Sequence, residues 1–281
     1  MARKLEPGAE LQVRAIVIGE AVEGNAHWYR VEENAYVWAG ACGPLTGADG
    51  GAAQPLAGTA PAAGSAAALP GLRPVPLVVD LYHADRVTSF VAARNAGVLG
   101  VIHKATTGAT GRDDAYRDRR EAALEAGLLW GAYHWGTSRP AVEQVDNFLN
   151  WAQPDERTLV ALDFEKDAGN QMTLRRAREV LTELSDRLGR RAVLYSGSTV
   201  KDALGGVNDP FFGAHRLWLA QYGLDPSVQA SWTGYWLWQY TDGRIGPEPR
   251  QAPGMPGNSH GELDCNHYAG TAEQLAAEWA S

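Results

Sequence analysis

Cysteine is scarce in this sequence, with Cys42 and Cys265 as the two cysteines in 281 residues. So few cysteines exclude the disulfide framework on which many small secreted domains depend. A bridge between the two is one possibility, and two free thiols are the interpretation that we favour.

Long apolar runs and a secretory leader are missing as well. No stretch approaches the roughly 18 consecutive apolar residues of a membrane-spanning helix, so we expect no membrane insertion. The opening residues, MARKLEPGAE, include basic residues but have no apolar segment behind them. They do not have the pattern of a signal peptide.

An excess of positive charge is also absent. Twenty-five Lys and Arg against 33 Asp and Glu give a formal net charge of −8. This balance argues against nucleic acid as a partner, because a nucleic-acid-binding protein normally presents a basic face. Aromatic residues, by contrast, are abundant, with ten Trp and ten Tyr. Flat amphipathic rings suit a packed core and a sugar-binding cleft equally, so this count leaves both interpretations open.

Changes of composition divide the chain into three segments. Residues 1–45 contain short β-type stretches separated by turn residues, and residues 46–74 are Ala, Gly and Pro with almost no charge. The middle segment cannot bury enough apolar surface to fold by itself, which predicts a linker. In residues 75–281 apolar strands alternate with helical patterns, which predicts an α/β domain.

Eight strands are predicted in this third segment, and their near-continuous apolar character is typical of parallel strands covered on both faces. They are 77–82, 98–105, 128–135, 159–165, 192–196, 216–222, 235–240 and 262–268. Little helical sequence separates the last three. The pattern favours an irregular (β/α) TIM-like barrel with reduced helices in its last third. An open doubly wound sheet is the alternative, but no Gly-rich phosphate loop follows the first strand.

Helices are predicted around 113–126, which is Ala-rich, around 140–152 and at 173–189. The last has Thr173 as its N-cap and Gly189 just after its end. The apolar stripe predicted for the helix at 140–152 comprises Val142, Val145, Phe148, Leu149 and Ala152.

Four carboxylates occur in or just after these strands. Asp80 lies near the end of the first strand, Asp163 and Glu165 lie at the end of the fourth, and Asp264 lies in the eighth. We expect all four to be late in their strands and therefore to meet at the C-terminal mouth of the barrel, where enzymes of this architecture build their sites.

Strand alternation gives each acid its neighbours on the inward face. Side chains two residues apart share a face, so Glu165 accompanies Asp163. By the same rule Tyr82 accompanies Asp80, and Asn266 accompanies Asp264. The apolar residues between them would then face the helices.

Clustered carboxylates repel one another, and burial disfavours their ionised forms. One or two of them could instead form stabilising ion pairs with Lys104, Arg216 or helix ends. A cluster in one cleft, however, allows one carboxyl to hold a proton near neutral pH while its neighbour stays ionised. Cleavage of a glycosidic bond requires this division of roles.

At these residues the chain resembles glycoside hydrolase family 25, the Chalaropsis-type lysozymes, over about residues 76–270. The family's motifs occur in order as VVDLYHADRV, IHKATTG, AGLLWGAYHW, ALDFEKD, LWLAQY, WQYTDG and LDCN. The chain departs from the family where Tyr82 replaces a usual Ser and Thr107 replaces a frequent Glu. Both positions lie at the rim of the barrel and concern substrate detail.

The resemblance implies hydrolysis of the β-1,4 bond between N-acetylmuramic acid and N-acetylglucosamine in peptidoglycan. Glu165 matches the general acid, and Asp163 matches the partner that orients the substrate's N-acetyl group or activates water. Asp80 and Asp264 match flanking acids that tune this pair and bind sugar. We expect a monomer that acts on peptidoglycan glycan strands with neither a metal nor an organic cofactor.

Side chains predicted to bind substrate lie in or beside the same strands, although core packing is the alternative for each aromatic one. They are Tyr82, Tyr133, Trp135, Tyr195, Tyr240, Asn266 and Lys104. The histidines show no metal-ligand spacing.

Residues 1–45 resemble the later part of a bacterial SH3-like wall-binding module through LEPGAELQV, HWYRV and AYVWAGA. The resemblance implies binding to the cell wall or to a docking partner. The first strands of such a module are missing, so it is either a reduced version or one that the chain enters part-way. Since no signal peptide is evident, a protein that acts on the wall would be released by lysis or by a dedicated secretion system.

Two other functions stay open at this point. One is a catalytically silent wall- or sugar-binding protein on the same barrel, against which the intact acid set argues. The other is a chitinase-like hydrolase, which also places acids on a barrel strand.

Overall fold

The structure, a computed structural model, describes residues 15–22, 25–32, 35–38, 77–223, 225–268 and 270–281. The chain divides into two units, Met1–Pro74 and Val75–Ser281. In the first unit, three strands pair antiparallel in the order β1-β2-β3. They are β1 (Ala15–Val22), β2 (Asn25–Glu32) and β3 (Ala35–Trp38). The predicted SH3-like module at 1–45 lies partly outside the described residues, and the predicted linker at 46–74 lies entirely outside them.

The second unit contains a closed barrel of eight strands. The strands are β4 (Val78–Leu81), β5 (Gly100–Thr107), β7 (Leu129–Trp135), β8 (Leu159–Asp163), β9 (Val193–Ser196), β10 (Leu217–Ala220), β11 (Leu237–Thr241) and β12 (Asp264–Tyr268), and a short β6 (Gly111–Arg112) pairs with β5. Around the ring they follow in chain order, and β4 pairs with both β5 and β12. This closure confirms the predicted barrel and excludes the open sheet.

The eighth strand runs opposite to the others. β4, β5 and β7 to β11 are parallel, whereas β12 is antiparallel to both β11 and β4. The expectation that Asp264 stands late in its strand is therefore wrong, because Asp264 is the first residue of β12 and pairs with Asp80. Residues 242–263 contain no helix that would return the chain to the far end of the barrel. The chain therefore starts β12 from the mouth, and the reversed direction still brings Asp264 there.

Helices follow the first five strands of the barrel and its last strand. They are α1 (Phe90–Ala96), α2 (Tyr116–Glu125), α3 (Ala141–Ala152), α4 (Leu174–Leu188), α5 (Ser198–Leu204), α6 (Pro210–Gly213) and α7 (Ala272–Glu278). As predicted, Thr173 caps α4 by accepting from Arg176 N, and Gly189 ends it in the left-handed conformation. In the part of the chain that the structure describes, no helix has the length and apolarity needed to cross a bilayer.

The buried face of α3 differs from the predicted stripe at Val142, which is 50% exposed. Ala141 and Gln144 are buried instead, together with Val145. Gln144 is polar but its burial is satisfied, because Oε1 accepts from Thr137 N at 2.8 Å and Nε2 donates to Arg139 O at 2.6 Å. Gln144, which hydrogen-bonds to the backbone after β7, therefore lies on the buried face of α3, whereas Val142 does not.

Strand alternation produces two apolar clusters. One lies between strands and helices and includes Val79, Leu162 and Phe164. The other fills the barrel and includes Ile102 and Leu237. The two faces of each strand are therefore distinct. Inward-facing residues near the C-terminal ends of the parallel strands lie above the interior apolar cluster and line the mouth.

The end of the barrel opposite the mouth is closed by α7 and the residue that follows it. Leu275 and Trp279 belong to the interior cluster. The Trp279 indole donates to Trp130 O at 2.7 Å, and a Cβ on Gly100 would lie 2.6 Å from its ring. Glycine at position 100 therefore leaves the space that this ring occupies.

We expect Trp279→Ala to lower the free energy of unfolding by about 3–5 kcal/mol, because it removes a buried ring and leaves a cavity in the barrel floor. Urea denaturation would measure the change. Val207, which is 63% exposed, provides a control in Val207→Ala, for which we expect a change within about 0.5 kcal/mol. Equal losses in the two variants would show that Trp279 does not support the barrel.

Candidate active site

A cavity of about 220 Å³ opens at the mouth of the barrel. Its lining residues are Asp80, Tyr82, Lys104, Tyr133, Trp135, Asp163, Glu165, Tyr195, Trp218, Tyr222 and Asp264. The four predicted acids therefore meet in one cavity, with all of the predicted sugar-binding residues except Tyr240 and Asn266. A second groove of about 400 Å³ lies between α4 and α6 and contains one carboxyl, Asp186.

Asp163 and Glu165 enter the cavity from β8. Asp163 is the last residue of that strand, and Leu162 and Phe164 on either side of it are buried under the helices. Asp163 is 2% exposed, and its Oδ1 has no hydrogen-bond partner among the described residues. A buried, unpaired carboxyl oxygen is costly in a fold, so its place beside a cavity favours a ligand-binding role.

The chain after β8 holds Glu165 through its backbone. The Gln171 amide donates to Glu165 O at 3.0 Å and to Met172 O at 2.9 Å, and its oxygen accepts from Asp167 N at 3.0 Å. One side chain thus satisfies three backbone groups of this turn and fixes the point from which the Glu165 carboxyl extends.

Burial governs the proton affinity of this pair. It raises the pKa of Asp163 well above 3.8, and the charge of Glu165 raises it further while that of Lys104 lowers it. Burial also raises the pKa of Glu165, against the charge of Lys104. The cavity therefore favours carboxyls that hold a proton at pH values where exposed ones would be ionised.

Asp80 and Asp264 stand side by side on β4 and β12. Burial raises the pKa of Asp264 well above its ordinary value, and the charges of Asp80 and Asp85 add to the effect. Burial raises the pKa of Asp80 to about 7, although hydrogen bonds from Asn266 and Gln239 lower it in part.

Lys104 contributes positive charge to the acidic cavity. Its Nζ lies 4.5 Å from the centre of the Trp135 ring. Burial lowers the pKa of Lys104, whereas the charge of Asp163 raises it. The ammonium thus acts on the Asp163–Glu165 pair, in line with the predicted position of Lys104 among the acids.

Two of the predicted sugar-binding residues lie away from the cavity. Tyr240 belongs to the cluster under the helices, and its hydroxyl donates to Pro249 O. In β11 the inward side chains are Leu237 and Gln239, so Tyr240 must face outward. Asn266 points inward but lies below the cavity, where its amide donates to Asp80.

Three residues of this region were not among the predicted site residues. Trp218 and Tyr222 line the cavity, and Gln239 supports Asp80 from below. For Trp218 and Tyr222 the LWLAQY stretch was the available signal, since alternation puts Trp218, Ala220 and Tyr222 on one side. The signal for Gln239 was a polar side chain inside an otherwise apolar strand.

The raised carboxyl pKa values predict how stability depends on pH. These groups keep protons in the folded protein after the unfolded chain has released them, so their stabilising contribution is complete below about pH 3.8 and is lost as pH rises through the folded pKa. For Asp80 this folded pKa is about 7. We therefore expect the melting temperature to fall between about pH 5 and about pH 8, and to fall less in Asp163→Asn. Differential scanning fluorimetry across this range would measure the melting temperature of both proteins. Equal falls in the two proteins would contradict the raised pKa of Asp163.

Comparison with known proteins identifies the family. The sequence model described as Glycosyl hydrolases family 25 matches residues 79–248, which is more than half of the 281 residues. The chain belongs to this family. It is accordingly a glycoside hydrolase, and the resemblance predicted from the strand motifs is confirmed.

Relatives of this family 25 chain include bacterial enzymes. It is 25% identical to Lysozyme M1 of Streptomyces globisporus over 215 residues, which cover 71% of this chain and 69% of that protein. It is 27% identical to the autolytic lysozyme of Clostridium acetobutylicum over 181 residues, which cover 58% of this chain and 50% of that protein. The solved structure of a bacterial lysozyme from Streptomyces coelicolor matches with a TM-score of 0.63 and 24% identity, over 72% of this chain and 95% of that one. The last match shows the shared fold.

Proposed function

We propose that this family 25 hydrolase is a muramidase that cleaves the β-1,4 bond between N-acetylmuramic acid and N-acetylglucosamine in peptidoglycan. The observation that carries the proposal is the convergence of Asp80, Asp163, Glu165 and Asp264 in one aromatic-walled cavity. The relatives named as lysozymes support the same substrate class.

Glu165 is the proposed general acid. It extends beyond the end of β8 into the cavity and is more exposed than the fully buried Asp163. Burial raises its pKa, which favours the protonated form that a general acid needs. Protonation of that oxygen makes the sugar a better leaving group and is the step that an oxocarbenium-like transition state requires.

Asp163 is the proposed partner of Glu165. Its unpaired Oδ1 beside the cavity is suited to accept a hydrogen bond from the substrate's N-acetyl N–H or from a water molecule. Either bond would strengthen as positive charge develops on the sugar ring. Asp80 and Asp264 flank the pair, and the charge of Asp80 favours protonation of Asp163.

The aromatic walls are proposed to bind sugar by their faces. Tyr82, Tyr133 and Trp135 line the cavity and offer flat apolar surface to pyranose rings, whereas Trp218 is 1% exposed and lies at the base of the cavity. Tyr195 also lines it, but its hydroxyl donates to Gln239 at 2.8 Å, so we assign it stacking rather than hydrogen bonding.

Mass spectrometry of fragments released from purified peptidoglycan tests the proposal. A muramidase leaves N-acetylmuramic acid at the new reducing end, which borohydride reduction identifies. Release of fragments from chitin but not from peptidoglycan would favour the chitinase-like alternative. Binding to both polymers without release would favour a silent binding protein.

We also propose the domain division 1–45, 46–74 and 75–281, with the first segment as an SH3-like module that binds the wall or a docking partner. The antiparallel pairing of β1, β2 and β3 supports it. The chain would then act on the bacterial cell wall as a monomer without a cofactor, after release by lysis or a secretion system.

The module can be tested by comparing the full chain with residues 75–281. We expect the shorter chain to sediment less with insoluble peptidoglycan, because a second attachment raises the effective concentration at the wall. Its hydrolysis of soluble glycan fragments should be unchanged. Equal sedimentation of both chains would count against wall binding by residues 1–45.

A further inference from the structure

Two buried side-chain amides support the Asp80 carboxyl from below the cavity. Asn266 Nδ2 donates to Asp80 Oδ1 at 2.8 Å. Gln239 Nε2 donates to both Asp80 oxygens, at 3.0 and 2.9 Å. Asn266 and Gln239 are each 1% exposed, so water is not available to replace these bonds. The orientation of the two amides therefore decides whether Asp80 meets donors or acceptors.

Trp218 fixes the orientation of Asn266. Its indole Nε1 donates to Asn266 Oδ1 at 2.6 Å, and an indole N–H can only donate. The amide oxygen must therefore face Trp218, and the amide nitrogen must face Asp80 and Val78 O, which lies 3.4 Å away. A reversed amide would place two donors against each other at Trp218 and acceptors against each other at Asp80.

Tyr195 orients the amide of Gln239 in the same way. Its hydroxyl donates to Gln239 Oε1 at 2.8 Å, which leaves Nε2 for Asp80. A hydroxyl can also accept, so this constraint is weaker than the one from the indole. The rings of Trp218 and Tyr195 both line the cavity, while their polar atoms hydrogen-bond to Asn266 and Gln239 beneath it.

We propose that Trp218 is a positioning residue whose indole N–H, acting through Asn266, holds Asp80 as a hydrogen-bond acceptor and favours its ionised form. The proposal rests on the muramidase function, within which it assigns Asp80 the role of a hydrogen-bond-accepting carboxyl that flanks the Asp163–Glu165 pair.

Many groups act on the charge of Asp80. The titratable and charged groups that interact with it electrostatically or share its cavity are Asp85, Lys104, Tyr133, Asp163, Glu165, Tyr195, Tyr222, Asp264 and Cys265. Most of them are acids, which disfavour a further negative charge. The amide donors oppose both this repulsion and burial, so loss of a fixed donor should make Asp80 harder to ionise.

Trp218→Phe tests the proposal, because it keeps an aromatic wall and removes the N–H. Carbon-13 NMR of Asp-labelled protein without substrate would follow the Asp80 carboxyl, with Asp80→Asn providing the assignment. We expect its titration midpoint to move up by about one pH unit, the size that a hydrogen bond to a charged group implies. The acidic limb of the kcat/KM profile on peptidoglycan should move in the same direction.

Trp238→Phe is the matched control. Its indole donates to Gln221 O at 2.6 Å on the outer face of β11. Both the Asp80 titration midpoint and the acidic limb of the kcat/KM profile should therefore be unchanged. Tyr195→Phe is a second test that alters only one hydroxyl, and it should move the midpoint upward by less.

An unchanged Asp80 midpoint in Trp218→Phe would overturn the proposal even if the parent protein hydrolyses peptidoglycan. A parent protein that releases no fragments would instead contradict the muramidase function. The NMR titration would then still decide whether Trp218 positions Asp80.

Discussion

Glu165→Gln should lower peptidoglycan turnover by about 10²–10⁴-fold, the usual contribution of a positioned proton donor. Glutamine keeps the shape of the side chain but has no proton to give to the leaving oxygen. Because Glu165 is proposed to act in the chemical step, kcat should fall while KM changes little. Release of reducing ends from purified peptidoglycan would measure both parameters.

Glu121→Gln on α2 makes the same chemical change at an exposed position and should retain parental activity. Circular dichroism and thermal melting would establish that both variants are folded. A folded Glu165→Gln protein with parental kcat would remove Glu165 from the mechanism, whatever the rest of the cavity does.

Asp163→Asn should lose activity and gain stability. Activity should fall by about 10²–10³-fold, since an amide cannot supply the negative charge that stabilises the transition state. The free energy of unfolding near neutral pH should rise by about 1 kcal/mol, because the variant removes a carboxyl whose ionised form burial disfavours. Kinetics on peptidoglycan and urea denaturation would measure the two effects.

A fall in activity together with a rise in stability distinguishes a functional carboxyl from a structural one. Asp186→Asn, on the exposed face of α4 beside the second groove, should change neither quantity. If Asp163→Asn were instead both active and less stable, Asp163 would be a structural residue of the barrel.

The sequence predicted the barrel and its acidic mouth because both depend on local patterns. Each predicted strand overlaps an observed one, and alternation correctly put Asp163 and Glu165 on the face opposite Leu162 and Phe164. Strand direction is different, since residues 262–268 have the same alternation whichever way the strand runs. The position of Asp264 at the start of β12 depends on the path of residues 242–263, which no local pattern reveals.

The error at Tyr240 has a related cause. The stretch YWLWQY is aromatic or aliphatic at almost every position, so its pattern does not indicate which residues face inward. Pairing with β10 and β12 sets this phase and turns Gln239 inward and Tyr240 outward. Likewise, the contact between Trp218 and Asn266 joins side chains 48 residues apart and is visible only once the ring is closed.

The reversed strand also affects how the protein is made. During synthesis β4 to β11 leave the ribosome before β12. Until β12 is present, one edge of β4 and one edge of β11 have no neighbouring strand to pair with. Asp264, Asn266 and the floor residue Trp279 arrive with or after that strand. A nascent chain that still lacks β12 therefore has neither a closed barrel nor the full set of acids, so hydrolytic activity should arise only after β12 has been synthesised.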